Sequence, residues 1–174
     1  MKSLVSITTS SLVLLLALID TISSLPIIDA DDVIEQTCKR TQYYDLCAST
    51  LRSDPHSSGA DVKGLALIMV RVVGTKAKET LIHINNLLNA SPQNDYKKAL
   101  YSCAAYYHFG IITTDVPVAI DALKAGDFKF AAKSANDAAN EADFCEKSFK
   151  GTSPLTQMNK LVHDLSAVAA AIIK

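Results

Sequence analysis

The chain has 174 residues, 49% of them hydrophobic and 6% aromatic with no tryptophan, and a formal net charge of −1. Dispersed charge so close to balance gives no basis for binding nucleic acid or an anionic membrane surface, and the scarcity of aromatic rings argues against a stacking groove for sugars or bases. Glycine and proline are few and no low-complexity tract is present, so the composition is that of an ordinary globular protein.

Residues 1–24 read as a secretory leader. Met1-Lys2 supplies a minimal positive start, Leu12 to Ile19 is an unbroken apolar run, and Ile22-Ser23-Ser24 offers small residues for cleavage near Ser24. The run is far shorter than the ~20 residues needed to cross a bilayer. The expected mature protein, residues 25–174, is a single secreted domain of about 150 residues, destined for an oxidising compartment. With Lys2 and Asp20 both removed, its formal charge is unchanged.

The four cysteines fit that setting. An even count in a small exported protein reads as a disulfide framework, whereas zinc would require ligands bunched at short spacing, and Cys38, Cys47, Cys103 and Cys145 are not bunched. Three pairings are open. Cys38–Cys47 with Cys103–Cys145 is favoured because each pair then joins neighbouring antiparallel elements, although chain entropy alone does not choose it.

Residues 31–54 form a separate unit with two short helical pieces, Val33-Cys38 and Tyr43-Leu51, joined at Lys39-Arg40-Thr41-Gln42. Neither piece is long enough to persist alone. A Cys38–Cys47 bond would clamp them as a hairpin, contributing about 3 kcal/mol in the chain-entropy estimate.

Residues 61–174 carry four long amphipathic stretches. The first places Val62, Leu65, Met69, Val73, Ala77, Leu81, Ile84 and Leu88 on one stripe, ending at a loop through Ser91-Pro92 and Asn94-Asp95. The second runs through Leu100, Cys103, Tyr107, Ile111 and Thr114, is expected to kink or split at Pro117, and resumes at Val118, Ala122 and Ala125. Gly126-Asp127 pairs a helix stop with a helix cap. The third stripe is an alanine seam, Ala131, Ala135, Ala138 and Ala142, continued by Cys145 and Phe149. Gly151-Thr152-Ser153-Pro154 makes the last turn, with Ser153 as cap and Pro154 in first helical position, ahead of Leu155, Met158, Val162, Leu165, Ala169 and Ile172. Short connections between four such helices predict an all-α, antiparallel up-down-up-down four-helix bundle with an N-terminal helical hairpin. A Cys103–Cys145 bond would staple the second bundle helix to the third, contributing about 4 kcal/mol on the same estimate.

Catalytic chemistry is hard to find. His56, His83, His108 and His163 are scattered, with no pair at metal-ligand spacing. No nucleophile elbow and no phosphate-binding glycine loop are present, and the Glu-x-x-His pairs of a di-iron bundle are missing. Asp137, Glu141 and Glu146 recur at helical spacing beside lysines, as on a solvated face. The expectation is a protein that is not an enzyme and holds no metal or cofactor. Asn89-Ala90-Ser91 is a candidate N-glycosylation sequon in a loop, with Pro92 directly after it.

One segment breaks local rules. Gly126-Asp127-Phe128-Lys129-Phe130 puts a lysine in the first turn of a helix, where the dipole disfavours positive charge by a few tenths of a kcal/mol, and flanks it with phenylalanines at a loop tip. Phe130 lies near the alanine seam, so Phe128 is expected to be the exposed one. Such local inconsistency tends to mark functional sites.

Together, the four-cysteine layout and the segments TCKRTQYYDLC, DVKGLALIMV, VPVAIDALKAGDFKFA and SPLTQMNKLVHDLSAVAAAII resemble the plant invertase and pectin methylesterase inhibitor family, and within it the invertase inhibitors. The resemblance covers essentially the whole expected mature chain. It implies a four-helix bundle with an N-terminal hairpin and disulfides joining first to second and third to fourth cysteine. It also implies that the residues after the Gly-Asp turn enter the sugar pocket of an acid invertase (β-fructofuranosidase). Lys129 and Phe130 match the lysine and phenylalanine of the family's Pro-Lys-Phe tripeptide, whereas Phe128 stands where the family has proline. The implied site is therefore Asp127, Phe128, Lys129 and Phe130, acting without turnover by competitive, non-covalent, pH-dependent inhibition. The implied setting is the cell wall, with the vacuole as the alternative, and a monomer in the free state. Two further readings stay open: a pectin methylesterase inhibitor acting through its bundle helices, and a small secreted ligand-binding bundle, which the filled heptad pattern disfavours. A storage or purely structural role is weakened by the ordinary composition.

Overall fold

The computed structural model describes residues 30–91 and 95–174. The expected leader and its cut near Ser24 lie outside the described residues. A helical hairpin comes first: α1 (Ala30–Cys38) and α2 (Tyr44–Ser53), followed by a 3₁₀ turn at Pro55–Ser57. The bundle follows: α3 (Val62–Ala90), then a rod made of α4 (Asp95–Ala105), a π-helical stretch (Tyr106–Asp115) and α5 (Val116–Ala125), then α6 (Phe128–Lys147) and α7 (Thr156–Ile173). The architecture is the expected all-α bundle with its hairpin.

Periodicity explains most of the core. Leu65, Met69, Val73, Ala77, Ile84 and Leu88 of α3 are buried, as are Ala131, Ala135, Ala138 and Ala142 of α6 and Val162, Leu165, Ala169 and Ile172 of α7. The alanine seam lets α6 and α7 approach closely, and they share the most extensive contact among the described elements. Both disulfides form in the favoured pairing, Cys38–Cys47 at 2.01 Å and Cys103–Cys145 at 2.12 Å. The first clamps the hairpin and the second joins the rod to α6.

The rod departs from expectation. Pro117 does not split it: the chain stays helical from Asp95 to Ala125 and instead widens over ten residues ahead of the proline. Val116 N–H reaches back five residues to the Ile111 carbonyl. A proline ring crowds the carbonyl four residues before it, and a wider turn relieves that crowding. Widening also shifts the inward phase, because a π-turn holds more than 3.6 residues. Thr114 is therefore exposed and Asp115 buried in its place; Ala125 faces solvent while Leu123 fills the core.

Of the acidic residues of α6, Asp137 keeps the expected surface pairing, with exposed Lys133 four residues before it, whereas Glu146 is drawn inward. Asp137, Glu141 and Glu146 are each half-buried. Glu146 Oε2 accepts from Asn159 Nδ2 at 2.6 Å, and the fully buried Tyr107 donates its hydroxyl to Asn159 Oδ1 at 2.9 Å. This network ties the rod, α6 and α7 together with every member paired, the condition under which buried polar groups are tolerated. At the last turn Ser153 Oγ accepts from Leu155 N–H at 3.0 Å, but regular helix begins only at Thr156, so Pro154 lies in the turn. Phe149 lies beyond the end of α6, edge-on to Tyr96 at 5.8 Å. Asn89 sits in the last turn of α3, exposed, and not in a loop.

Candidate functional site

The turn from α5 to α6 is built entirely by local chemistry. Gly126 adopts φ 81°, a left-handed conformation that side-chain-bearing residues avoid. Its N–H reaches the Leu123 carbonyl at 3.2 Å, while Asp127 N–H reaches Ala122 O at 2.9 Å. This paired closure satisfies the last carbonyls of α5 and reverses the chain. Asp127 then caps α6, its Oδ1 accepting from Phe130 N–H at 3.0 Å. Stop and start therefore lie one residue apart, which leaves the tip little freedom.

Phe128, Lys129 and Phe130 are consequently the first three residues of α6, held by a helix of 20 residues. Lys129 is exposed and makes no hydrogen bond or ion pair among the described residues. Both phenylalanines are exposed, Phe128 by 46% and Phe130 by 49%. This corrects the expectation that Phe130 would join the alanine seam. Each residue turns a helix by about 100°, so Phe130, one place before Ala131, points away from the seam. Phe128 instead lines the groove between the starts of α3 and α6 and the end of α7. No acidic side chain lies in the first turn of α6 to neutralise Lys129. An unpaired ammonium between two apolar rings can enter an anionic, partly apolar cavity.

The histidines remain dispersed. His56 bonds Asp54 and His163 contacts Asp164, while His83 and His108 are exposed; among the described residues no cluster of metal-binding groups occurs. No described helix is long and apolar enough to cross a membrane.

Comparison with known proteins places the whole chain. The profile of the plant invertase/pectin methylesterase inhibitor family matches residues 32–172. The chain belongs to that family. A cell wall / vacuolar inhibitor of fructosidase 1 from Arabidopsis thaliana is 42% identical over 140 residues, covering 80% of this chain and 67% of that protein. A second Arabidopsis inhibitor of fructosidase is 44% identical over 103 residues, 56% of this chain and 57% of its own length. A pectinesterase inhibitor from Actinidia deliciosa is 30% identical over 142 residues, 81% of this chain and 76% of that one. Among solved structures, mutant form A of an Arabidopsis pectin methylesterase inhibitor superposes with a TM-score of 0.69 at 20% identity, covering 80% of this chain and 94% of that one, and it supports the fold. Members of the invertase/pectin methylesterase inhibitor family are proteinaceous inhibitors of enzymes, and the chain is not itself an enzyme.

Sequence reasoning overlooked one feature of this end of the bundle. Lys63 occupies the first turn of α3 as Lys129 does that of α6, again with no acid in that turn. The same clash with the helix dipole that singled out Lys129 was present at Lys63. Arg40, brought to the same groove by the hairpin, left no local signal.

Proposed function

We propose that this protein inhibits an acid invertase by seating Phe128-Lys129-Phe130 in the sucrose-binding pocket. The observation that carries the reading is Lys129, exposed and without a partner among the described residues, at the start of a capped helix. Glycosidase pockets generally hold two carboxylates around the scissile bond. A lysine ammonium delivered on a rigid helix can pair with them and exclude sucrose without being consumed. The 42% identity to an inhibitor of fructosidase from the cell wall or vacuole favours this target and an acidic compartment. A single inhibitor domain spanning residues 25–174 after a removable leader, released from the cell as a monomer, completes the reading.

Replacing Lys129 by alanine leaves the enzyme's carboxylates unpaired. Truncating one partner of a desolvated charge pair costs about 2 to 5 kcal/mol, so inhibition should weaken at least tenfold. A smaller loss would contradict the proposal. Pectin methylesterase is the second reading, supported by the Actinidia relative. In that case the contact surface shifts to the bundle helices, and Lys129→Ala leaves potency intact.

A further inference from the structure

Five chain segments converge at the end of the bundle that carries Lys129: the hairpin turn, the start of α3, the end of α5, the start of α6 and the end of α7. Between them runs a groove of about 370 Å³ whose lining includes Arg40, Val62, Lys63, Leu123, Phe128 and Ile173. Leu123 and Ile173 are buried and form its floor, while Val62 and Phe128 expose apolar edges.

The rim is cationic and underused. Arg40 is exposed and has no ion pair among the described residues. Lys63 makes one weak contact, donating to the Lys124 carbonyl at 3.4 Å. Nearby carboxylates are engaged elsewhere: Asp61 Oδ1 accepts from Gly64 N–H at 2.7 Å, Asp127 caps α6, and Asp121 faces Lys124 at 3.7 Å. The starts of α3 and α6, each capped by an aspartate, both lie at this end. Each adds a first-turn lysine and no first-turn acid. Arg40 and Lys63 thus line the groove without an ion-pair partner among the described residues, and an apolar floor under a cationic rim fits a carboxylate-bearing segment with apolar neighbours.

We propose that this groove is a second contact region for the target glycosidase, receiving an acidic loop from the rim of the pocket that Lys129 enters, with Arg40 and Lys63 pairing its carboxylates. The inference rests on the pocket-filling reading of Lys129 and extends it. Phe128 both lines the groove and opens the plug, so it joins the two contacts, and the hairpin gains a role in recognition by supplying Arg40. The occupant is distinct from the catalytic carboxylates, so the two contacts fail separately.

The test compares Arg40→Glu/Lys63→Glu with Arg71→Glu/Lys78→Glu, a pair of the same charge change on the middle of α3, and with Lys129→Ala. Each is titrated against acid invertase at low and high salt, with helicity and thermal midpoint confirming the fold. The groove reversal should weaken inhibition about tenfold or more, mainly through slower association, and flatten the salt dependence. The α3 pair should inhibit like the parent. Unchanged inhibition by the groove variant, alongside loss in Lys129→Ala, overturns the second contact and leaves the plug standing. Full potency of Lys129→Ala overturns the plug itself. Equal loss in both charge-reversed pairs reduces the effect to net charge, and a free dimer dissolved by the groove reversal assigns the groove to a second copy. Either result overturns the proposal.

Discussion

Asp127 accepts a hydrogen bond from the backbone of Phe130 at 3.0 Å, so the carboxylate that opens α6 also fixes the residues around Lys129. Gly126 closes α5 immediately before it. The tip is thus held from both sides, and little ordering entropy remains to be lost when it meets a partner. Pre-organisation of this kind raises affinity without adding contacts.

The cap can be removed alone. Asp127→Ala leaves the Phe130 N–H without its acceptor, and loss of an N-cap costs about 1 kcal/mol. Thermal or denaturant unfolding should register that loss, with Asp127→Asn close to the parent because asparagine caps as well. If the tip matters to inhibition, potency follows the same order; an Asp127→Ala protein of full stability would show that the cap does not hold this turn.

By the family resemblance Phe128 stands at a proline position, and its place in the helix is one that either residue fits. It is the first residue of α6, a position whose N–H has no intrahelical acceptor and whose backbone angle suits proline. Phe128→Pro should therefore fold with the parent's helicity and a thermal midpoint equal or slightly higher, since proline restricts the unfolded chain. A destabilisation of more than about 1 kcal/mol would mean that the ring's contact in the groove outweighs this gain.

Stability should depend on pH through Asp115. Its Oδ2 is buried without a hydrogen-bond partner among the described residues and shares a small cavity with Ser166 and Ser134. Burial first, then the nearby Asp137 and Glu141, push its carboxyl from the ordinary 3.8 up to about 7, with Lys133 opposing. Between those values the folded state holds a proton that the unfolded chain has released, so stability falls as pH rises. Asp164 acts in the opposite sense: burial raises its carboxyl, but bonds from Lys160, His163 and Tyr43 prevail and hold it below the usual range. Its contribution is lost as pH drops below the ordinary carboxylate value. The protein should be most stable in mild acid. Asp115→Asn should remove most of the decline toward neutrality and add about 1 to 3 kcal/mol there. An unchanged slope in that variant would contradict the assignment.

How far the sequence disclosed this molecule depended on whether a feature was local. The stripe from Leu65 to Leu88 and the seam from Ala131 to Ala142 were legible because a regular helix repeats every 3.6 residues. Gly126 and Asp127 were legible because a helix stop and a cap each need a particular residue type. Thr114 and Asp115 exchanged places because the π-helical turn before Pro117 altered the repeat, and no apolar count registers that change. Phe130 was misplaced although its phase relative to Ala131 was available. The meeting of Arg40 with Lys63 and Phe128 joins three elements distant in sequence and follows only from the packed fold.

The most direct measurement is a titration of sucrose hydrolysis by an acid invertase, and in parallel of pectin demethylation, with the oxidised mature protein and its Lys129→Ala variant under mildly acidic conditions. Competitive inhibition of sucrose hydrolysis alone, weakened at least about tenfold in the variant, is the expected result. Inhibition of the esterase alone, or equal potency of the two proteins against invertase, would contradict the role assigned to Lys129.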